Sequence, residues 1–122
     1  MVLIYKMKNE EKKWIEQAEY DLKKAEVLFE KKLLDGAAFY SQQTVEKCLK
    51  ALIIKKSNVL AKIHDLVVLS KNADLPKNLS EKIKSMSGVY IESRYAFIDD
   101  EIPAKKFKEA DIIEFLGIAK EV

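Results

Sequence analysis

Glycine and proline are scarce in this chain, which contains three glycines and two prolines. A P-loop or a dinucleotide-binding turn needs several closely spaced glycines, so neither phosphate-binding motif can be written for this sequence. Nucleotidyl transfer that depends on such a loop is therefore not predicted. The same scarcity favours long helices, because glycine and proline are the residues that most often interrupt them.

Thiol and imidazole groups are also few: Cys48 is the single cysteine and His64 the single histidine. Cys48 has no second cysteine for a disulfide and no partner at metal-ligand spacing. We therefore expect Cys48 to behave as a small apolar residue and the protein to occupy a reducing compartment. The acidic run Asp99–Glu101 lacks the spacing of a calcium loop and is interpreted as a solvated loop. No metal and no cofactor are predicted.

No charge of one sign dominates the chain. Its 22 basic and 20 acidic side chains give a formal net charge of +2, which provides no overall attraction to a nucleic-acid backbone. The apolar run at residues 2–5 is too short for a signal peptide or a membrane-spanning helix. With 122 residues, the chain is expected to form one domain, residues 1–122, in the cytoplasm and away from the membrane.

Helical periodicity is the main positive signal in the sequence. Trp14, Ala18, Leu22, Ala25 and Phe29 follow the spacing of a single helical stripe. No segment alternates polar and apolar residues between turn signals, so no sheet is predicted. The predicted fold is all-α, an up-and-down bundle of four main helices plus one short helix. The helices are expected over about residues 9–32, 36–56, 64–72, 79–95 and 104–120.

The break between the first two predicted helices is placed at Asp35 and Gly36, since glycine disfavours a helix interior. The two helices should then form an antiparallel hairpin. In the last segment, Pro103 is placed for the first helical turn, where its missing N–H is not needed.

The second predicted helix has two different sides. One arc is apolar and should face the core; its members are Ala38, Val45, Leu49 and Leu52. The neighbouring arc is polar and consists of Gln42, Gln43, Glu46 and Lys50. A helix of this kind is usually covered on its mixed side by another element, a subunit or a ligand. The alternative is that Glu46 and Lys50 form an ordinary exposed pair contributing about 0.2–0.5 kcal/mol.

Arg94 and His64 are two further polar residues with unusual positions. On a helical wheel, Arg94 emerges from the apolar stripe of the fourth helix, where a guanidinium needs a carboxylate. The available carboxylates are Glu46, Asp65, Glu92 and the run Asp99–Glu101. A structural salt bridge and a binding role are both consistent with this position. His64 precedes Asp65 at the start of the third helix, where Asp65 favours the positive end of the helix dipole, and a lone histidine is more often structural than catalytic.

Four stretches of the chain together resemble the HEPN domain family. They are AEYDL in the first helix, QQTVEKCLKA in the second, HDL in the third and RY late in the fourth. The resemblance extends over about residues 14–120. It implies a bundle of four to five helices, commonly a homodimer, in a prokaryotic cytoplasm.

The resemblance also implies a partner and a set of site residues. HEPN proteins are often encoded beside a minimal nucleotidyltransferase, so the chain is expected to be a non-catalytic, nucleotide- or substrate-binding subunit of such a complex, within a toxin–antitoxin-type pair. The positions that match recurrent polar residues of the family are Gln43, Glu46, Lys47, Lys50, His64, Arg94 and Tyr95. Lys50 and Arg94 are expected to contact phosphate, Glu46 to hold Arg94, and His64 to donate a hydrogen bond.

A second branch of the family consists of metal-independent ribonucleases, many of them toxins, marked by an arginine followed four to six residues later by a histidine. In this chain Arg94 is followed by Tyr95 and then by the acidic run Asp99–Glu101, without a histidine. Three acidic residues would also repel a phosphodiester backbone. A divergent ribonuclease is therefore the alternative in the enzyme class, and a purely structural dimerisation module is a third hypothesis.

Overall fold

The computed structural model describes residues 2–57, 61–86, 89 and 107–122, with side chains from Glu10 onward. Within these ranges the regular structure is entirely helical, and the predicted all-α fold is confirmed. The helices are α1 (Val2–Glu30), α2 (Leu34–Ser57), α3 (Leu66–Asn72), α4 (Lys77–Lys84) and α5 (Glu109–Glu121). Of these described helices, none combines the length and the apolar character that a membrane crossing requires.

Helices α1 and α2 form the predicted antiparallel hairpin. The Thr44 hydroxyl donates a hydrogen bond of 3.4 Å to the carbonyl oxygen of Ala18, and one and a half turns further along α2 the Lys50 ammonium lies over the Trp14 ring. Contacts therefore move towards the start of α1 as they move towards the end of α2. This antiparallel arrangement brings the later turns of α2, including Lys50, against the N-terminal half of α1.

The turn between α1 and α2 is a Schellman-type helix end centred on Lys32. Lys32 has a positive φ of 62°, its N–H donates to the Phe29 carbonyl over 3.0 Å, and the Leu33 N–H donates to the Leu28 carbonyl over 2.9 Å. These are the two hydrogen bonds that define the motif. The chain therefore reverses at residues 31–33.

Asp35 and Gly36 lie in the first turn of α2, so the prediction that they break the helical pattern is wrong. An added Cβ on Gly36 would come within 2.9 Å of Leu28 Cδ1, which means that glycine lets the start of α2 approach α1 closely. Asp35 places a carboxylate at the positive end of the α2 dipole. Close packing, not chain reversal, accounts for the glycine.

The core lies where α5 packs against α2 and α1, while α3 packs against α2 and α4. On α2, Ala38, Val45 and Leu49 are fully buried and Leu52 is half-buried. The predicted apolar arc of this helix is thus the side that meets the other helices. Its polar arc is left to meet α1 and the segment that follows α2.

The predicted fourth helix is unbroken over about residues 79–95, but α4 ends at Lys84. Ser85 and Met86 form a turn, and Val89 is helical again and buried. The helix begins directly after Pro76, earlier than predicted, because proline is compatible with a helix start even though it disfavours a helix interior.

The last helix also starts at a different residue from the predicted one. Phe107 and Lys108 are outside it, and α5 begins at Glu109. The Lys108 backbone N–H donates to the Asp111 carboxylate over 2.9 Å, which satisfies a donor at the helix end. The prediction that Pro103 opens this helix is therefore wrong, and Pro103 itself lies outside the described residues.

Candidate functional site

Three polar side chains on successive turns of α2 are buried together. Gln42, Glu46 and Lys50 are 3%, 4% and 4% exposed, and the Gln42 amide donates to Glu46 Oε1 over 3.2 Å. Lys50 Nζ lies 3.3 Å from Glu46 Oε2. The interpretation of Glu46 and Lys50 as a solvent-exposed pair is wrong, because α1 and the segment after α2 cover this side of the helix.

His64 completes the arrangement from a different segment of the chain. Its Nδ1 lies 2.9 Å from Glu46 Oε2 and 3.5 Å from Lys50 Nζ. A carboxylate only accepts hydrogen bonds, so Nδ1 carries the proton and donates to Glu46. Lys50 and His64 then share one acceptor. We refer to Gln42, Glu46, Lys50 and His64 as the His64 cluster.

The imidazole is the exposed end of the His64 cluster. The side chain of His64 is 74% exposed, whereas that of Glu46 is 5% exposed. Because Nδ1 is directed at Glu46, Nε2 is the ring nitrogen left for a ligand or solvent. The cluster therefore presents one oriented histidine at the surface, supported by a buried carboxylate and a buried ammonium.

Asp65 fixes the backbone next to His64. It is the N-cap of α3, and its carboxylate accepts from the backbone N–H groups of Val67 over 2.9 Å and Val68 over 3.3 Å. The predicted role of Asp65 at the positive end of this helix is confirmed. The His-Asp sequence thus has two separate functions, since Asp65 holds the helix start and His64 turns back to α2.

Trp14 covers the ammonium group of the His64 cluster from α1. Lys50 Nζ lies 5.3 Å from the centre of the Trp14 ring, a geometry in which the ring face attracts the cation. The Trp14 indole N–H is buried and has no hydrogen-bond partner in the described part of the chain. The apolar stripe predicts that Trp14 is a core residue, and the structure adds a contact between its ring and the Lys50 ammonium.

A third buried charge, Asp21, joins α1 to α2 and is absent from the site residues predicted from the sequence. Asp21 is 1% exposed and forms an ion pair with Lys47. It also accepts from the Gln17 amide over 3.0 Å, and Lys24 Nζ lies 3.7 Å away. A signal was present, because Asp21 lies on the apolar stripe of α1 between Ala18 and Ala25 at helical spacing.

The predicted site residues fall into three groups. Glu46, Lys50 and His64 come together, and Gln43 is linked to them because its amide donates to the Gln42 side-chain oxygen over 2.7 Å. Lys47 instead forms an ion pair with Asp21, which links α2 to α1. Arg94 and Tyr95 lie outside the described residues.

Two of the carboxylates considered for Arg94 already have partners. Glu46 accepts from Gln42, Lys50 and His64, and Asp65 accepts from the start of α3. The other candidates, Glu92 and the Asp99–Glu101 run, lie outside the described residues. The predicted contact between Glu46 and Arg94 is therefore not needed to neutralise Glu46.

Two other kinds of chemistry have little support at this site. Across residues 10–57, 61–86 and 107–122, no three His, Cys, Asp or Glu side chains are grouped as metal ligands. Burial, together with the nearby negative charge of Glu19, raises the pKa of the Cys48 thiol from 9.0 to about 11. A thiol of this kind is almost entirely protonated at neutral pH and is a poor nucleophile.

Comparisons with known proteins agree with the helical architecture and with the resemblance seen in the sequence. The crystal structure of TT1696 from Thermus thermophilus is similar to this chain with a TM-score of 0.85 and 26% sequence identity, covering 93% of this chain and 92% of that one. No curated protein gives a match. The model of the HEPN domain matches residues 11–122, nearly the whole chain, and the protein therefore belongs to the HEPN domain family.

Proposed function

We propose that this protein is a non-catalytic binding subunit that acts, as a cytoplasmic homodimer, alongside a separate minimal nucleotidyltransferase in a toxin–antitoxin-type pair. Its role would be to hold a nucleotide or the substrate of that partner. Membership of the HEPN family supports the class of protein. The observation that carries the site assignment is the buried Glu46–Lys50 pair that ends in the exposed, oriented His64.

The buried pair supports this role because burying two charges is a poor way to stabilise a fold. Desolvation of both ions offsets most of their attraction, and apolar residues of similar size often stabilise as well or better. Here the pair has a further consequence: Lys50 neutralises Glu46, and Glu46 orients His64. Stability alone does not explain why these two charges are buried, whereas a requirement for an oriented imidazole does.

We assign the direct ligand contact to His64 and not to Lys50. Lys50 Nζ is 3.3 Å from Glu46 and its side chain is 4% exposed, so it has no free face for a phosphate. His64 Nε2 can accept a hydrogen bond from a ligand hydroxyl or, when protonated, donate one to a phosphate oxygen. Arg94, Tyr95 and Gln43 remain proposed ligand contacts of the same site, and Lys47 a proposed support for it.

The discriminating variants are His64→Asn and His64→Gln. An asparagine amide nitrogen takes the place of Nδ1 and can still donate to Glu46, but nothing replaces Nε2; in glutamine the amide nitrogen reaches the position of Nε2 instead. We expect His64→Asn to keep the stability of the wild type and to weaken binding of ATP and AMP about tenfold or more, with His64→Gln retaining part of the affinity. Isothermal titration calorimetry provides the affinities.

Native mass spectrometry of the protein recovered from its own cells tests the partner. It should show a dimer of this chain with a nucleotidyltransferase, and His64→Asn should leave the dimer intact. Unchanged nucleotide and partner affinity in His64→Asn would remove the site assignment. A change of oligomeric state alone would favour the purely structural dimerisation module.

One observation favours ribonuclease activity as a second candidate. A carboxylate that holds Nδ1 and leaves Nε2 free is the arrangement in which a histidine acts as a general base. If purified protein cleaves total RNA in the presence of EDTA, and if both His64→Asn and Arg94→Ala abolish the cleavage, the protein is a divergent HEPN ribonuclease. Absence of metal-independent cleavage in the wild type removes this candidate.

A further inference from the structure

We infer that the groove between α4 and α5 binds a basic amphipathic helix of another protein, a property that does not depend on the proposed function. The groove has a volume of about 340 Å³. It is lined by one residue of α4 and one face of α5: Lys82, Ile113, Glu114, Gly117, Ile118 and Glu121. We call it the Gly117 groove. None of these residues belongs to the His64 cluster, so the groove is a separate surface.

Gly117 is a glycine that no contact within the described part of the chain requires. It lies in the interior of α5, where glycine is less favourable than alanine. An added Cβ on Gly36 would meet Leu28, whereas an added Cβ on Gly117 meets no atom within 4 Å. The backbone at Gly117 is helical, so no left-handed conformation calls for glycine either. The missing side chain instead leaves room for a backbone from outside the chain to approach α5 closely.

Ile113 places an apolar side chain in the groove one turn before Gly117. It is 61% exposed, the highest value among the large apolar side chains of the described ranges. Ile118 is 4% exposed and forms the floor of the groove. Residues spaced i, i+4 lie above one another on the same face of a helix, so Ile113 is a ridge next to the gap at Gly117. A second helix can pack its own side chains around such a ridge and into such a gap.

The charges along the groove favour a basic partner. Lys82 Nζ already donates to both carboxylate oxygens of Glu121, over 3.1 Å and 3.3 Å. Glu114 accepts only from the Ser85 hydroxyl, over 3.5 Å, and has no cation beside it in the described part of the chain. A lysine or arginine of the partner would supply that cation.

A second copy of this chain is a less suitable occupant than a different protein. A contact between two copies is usually two-fold symmetric, so that the same surface faces itself. Two Gly117 grooves face to face would bring the Glu114 carboxylates of both copies towards one seam, without a described cation beside either of them. Like charges brought together oppose association. A different protein with lysines or arginines beside its apolar stripe matches both the apolar and the acidic part of the groove.

Binding of a peptide of leucine and lysine, about 18 residues long and patterned as an amphipathic helix, to the full-length protein tests this inference. Fluorescence anisotropy of the labelled peptide gives the affinity. We expect Ile113→Ser and Gly117→Leu each to weaken binding about tenfold or more, since the first removes the ridge and the second fills the gap. Glu114→Gln should weaken binding about threefold. The controls are Val68→Ser on α3, at a side chain that is 41% exposed, and Glu16→Gln at an exposed position of α1; each should change the affinity less than about twofold.

Gly117→Leu separates binding by the groove from a structural role of the glycine. Leucine is more favourable than glycine in a helix interior, and the space around Gly117 is open. The urea midpoint of this variant should therefore not fall, although its peptide affinity does. A loss of stability that accompanies the loss of binding would overturn the assignment of Gly117 to a partner. Hydrogen exchange should also show that the peptide protects α5 and leaves α3 unchanged.

Two comparison peptides and the oligomeric state identify the other possible occupants. A peptide with glutamate in place of every lysine should not bind, and one with its leucines scattered around the helix should bind at least about tenfold more weakly. Equal binding of the three peptides, no binding of the leucine–lysine peptide at about 1 mM, or equal losses in groove and control variants would each overturn the inference. If Gly117→Leu turns a dimer into a monomer in analytical ultracentrifugation, the groove joins copies of this chain and the inference is wrong. Nucleotide affinity enters none of these measurements, so the proposed function stands or falls separately.

Discussion

Substitution of Glu46 by glutamine is the strongest test of how the His64 cluster is built. The change preserves size and keeps an oxygen that can accept from Gln42, but it removes the charge that Lys50 and His64 share. Lys50 would then be a buried ammonium with only the Trp14 ring opposite it. Within the described part of the chain, Glu46 is the one carboxylate paired with Lys50.

The expected loss of stability follows from the burial of both side chains. Glu46 and Lys50 are 5% and 4% exposed, and removing one member of a buried pair costs about 3–5 kcal/mol. This is a large part of the total stability of a small domain, which is about 5–15 kcal/mol. We expect the urea midpoint of Glu46→Gln to fall by about 2 M or more.

A double-mutant cycle with Lys50→Met separates the pair from its surroundings. The double variant has neither charge, so its stability should return to within about 1–2 kcal/mol of the wild type. Since each single substitution is expected to cost about 3–5 kcal/mol, the coupling energy should be at least about 4 kcal/mol. Far-UV circular dichroism follows the helices, and fluorescence of Trp14, the single tryptophan, follows the cluster itself. The two transitions should coincide if unfolding is two-state.

The exposed pair Lys82–Glu121 is the matched control. Its side chains are 54% and 41% exposed, so Glu121→Gln should cost at most about 1 kcal/mol. If Glu46→Gln costs no more than this control, or if the two substitutions in the cycle are additive, the cluster is not a buried, coupled unit. The basis for orienting His64 through Glu46 would then be lost.

Three further predictions concern other features of the fold. Gly117→Ala in α5 should raise the free energy of unfolding by about 0.5–1 kcal/mol, since an added Cβ meets no atom within 4 Å; a loss measured in urea unfolding would contradict this. Lys32→Gly should stabilise by about 0.5–1 kcal/mol, because relief at φ of 62° outweighs loss of the exposed pair with Glu109, and Lys31→Gly, as its control, should not stabilise. Cys48 at pH 8 should react about 100-fold more slowly with Ellman's reagent in the native protein than in urea, since its pKa is raised from 9.0 to about 11. Because its pKa is raised, the folded state retains a thiol proton that the unfolded state releases, so the free energy of unfolding should fall from pH 9 to pH 11 in the wild type and less so in Cys48→Ala. Equal reaction rates in the native protein and in urea, or the same pH dependence of stability in wild type and Cys48→Ala, would show that the thiol is exposed.

Periodicity was sufficient to predict the long helices and the apolar arc of α2, because both depend on spacing within one segment. It was not sufficient at Gly36, where the glycine serves a contact with Leu28, or at Lys32, where a residue other than glycine adopts the left-handed conformation. Of these two residues, only Lys32 takes part in the reversal of the chain, through the hydrogen bonds at residues 31–33. Pattern alone also failed to predict that α4 ends at Lys84.

Candidate site residues could be named from the sequence, but their contacts could not. Glu46 and Lys50 look the same in the sequence whether their helix face is wet or covered, and only the packing of Trp14 and the position of His64 show that they are buried. Asp21 and Lys47 are 26 residues apart, so their pairing depends on the register of the hairpin.

Composition and helical period were enough to predict an all-α bundle with a mixed polar and apolar second helix, because both are local properties of the chain. Only the packing of the helices decided that Lys50 and His64 share the buried Glu46 carboxylate and that Lys47 belongs to Asp21. The physical reason is that the strength of an electrostatic interaction depends on which partners a charge has and on how far it is excluded from water. Both are set by residues distant in the chain.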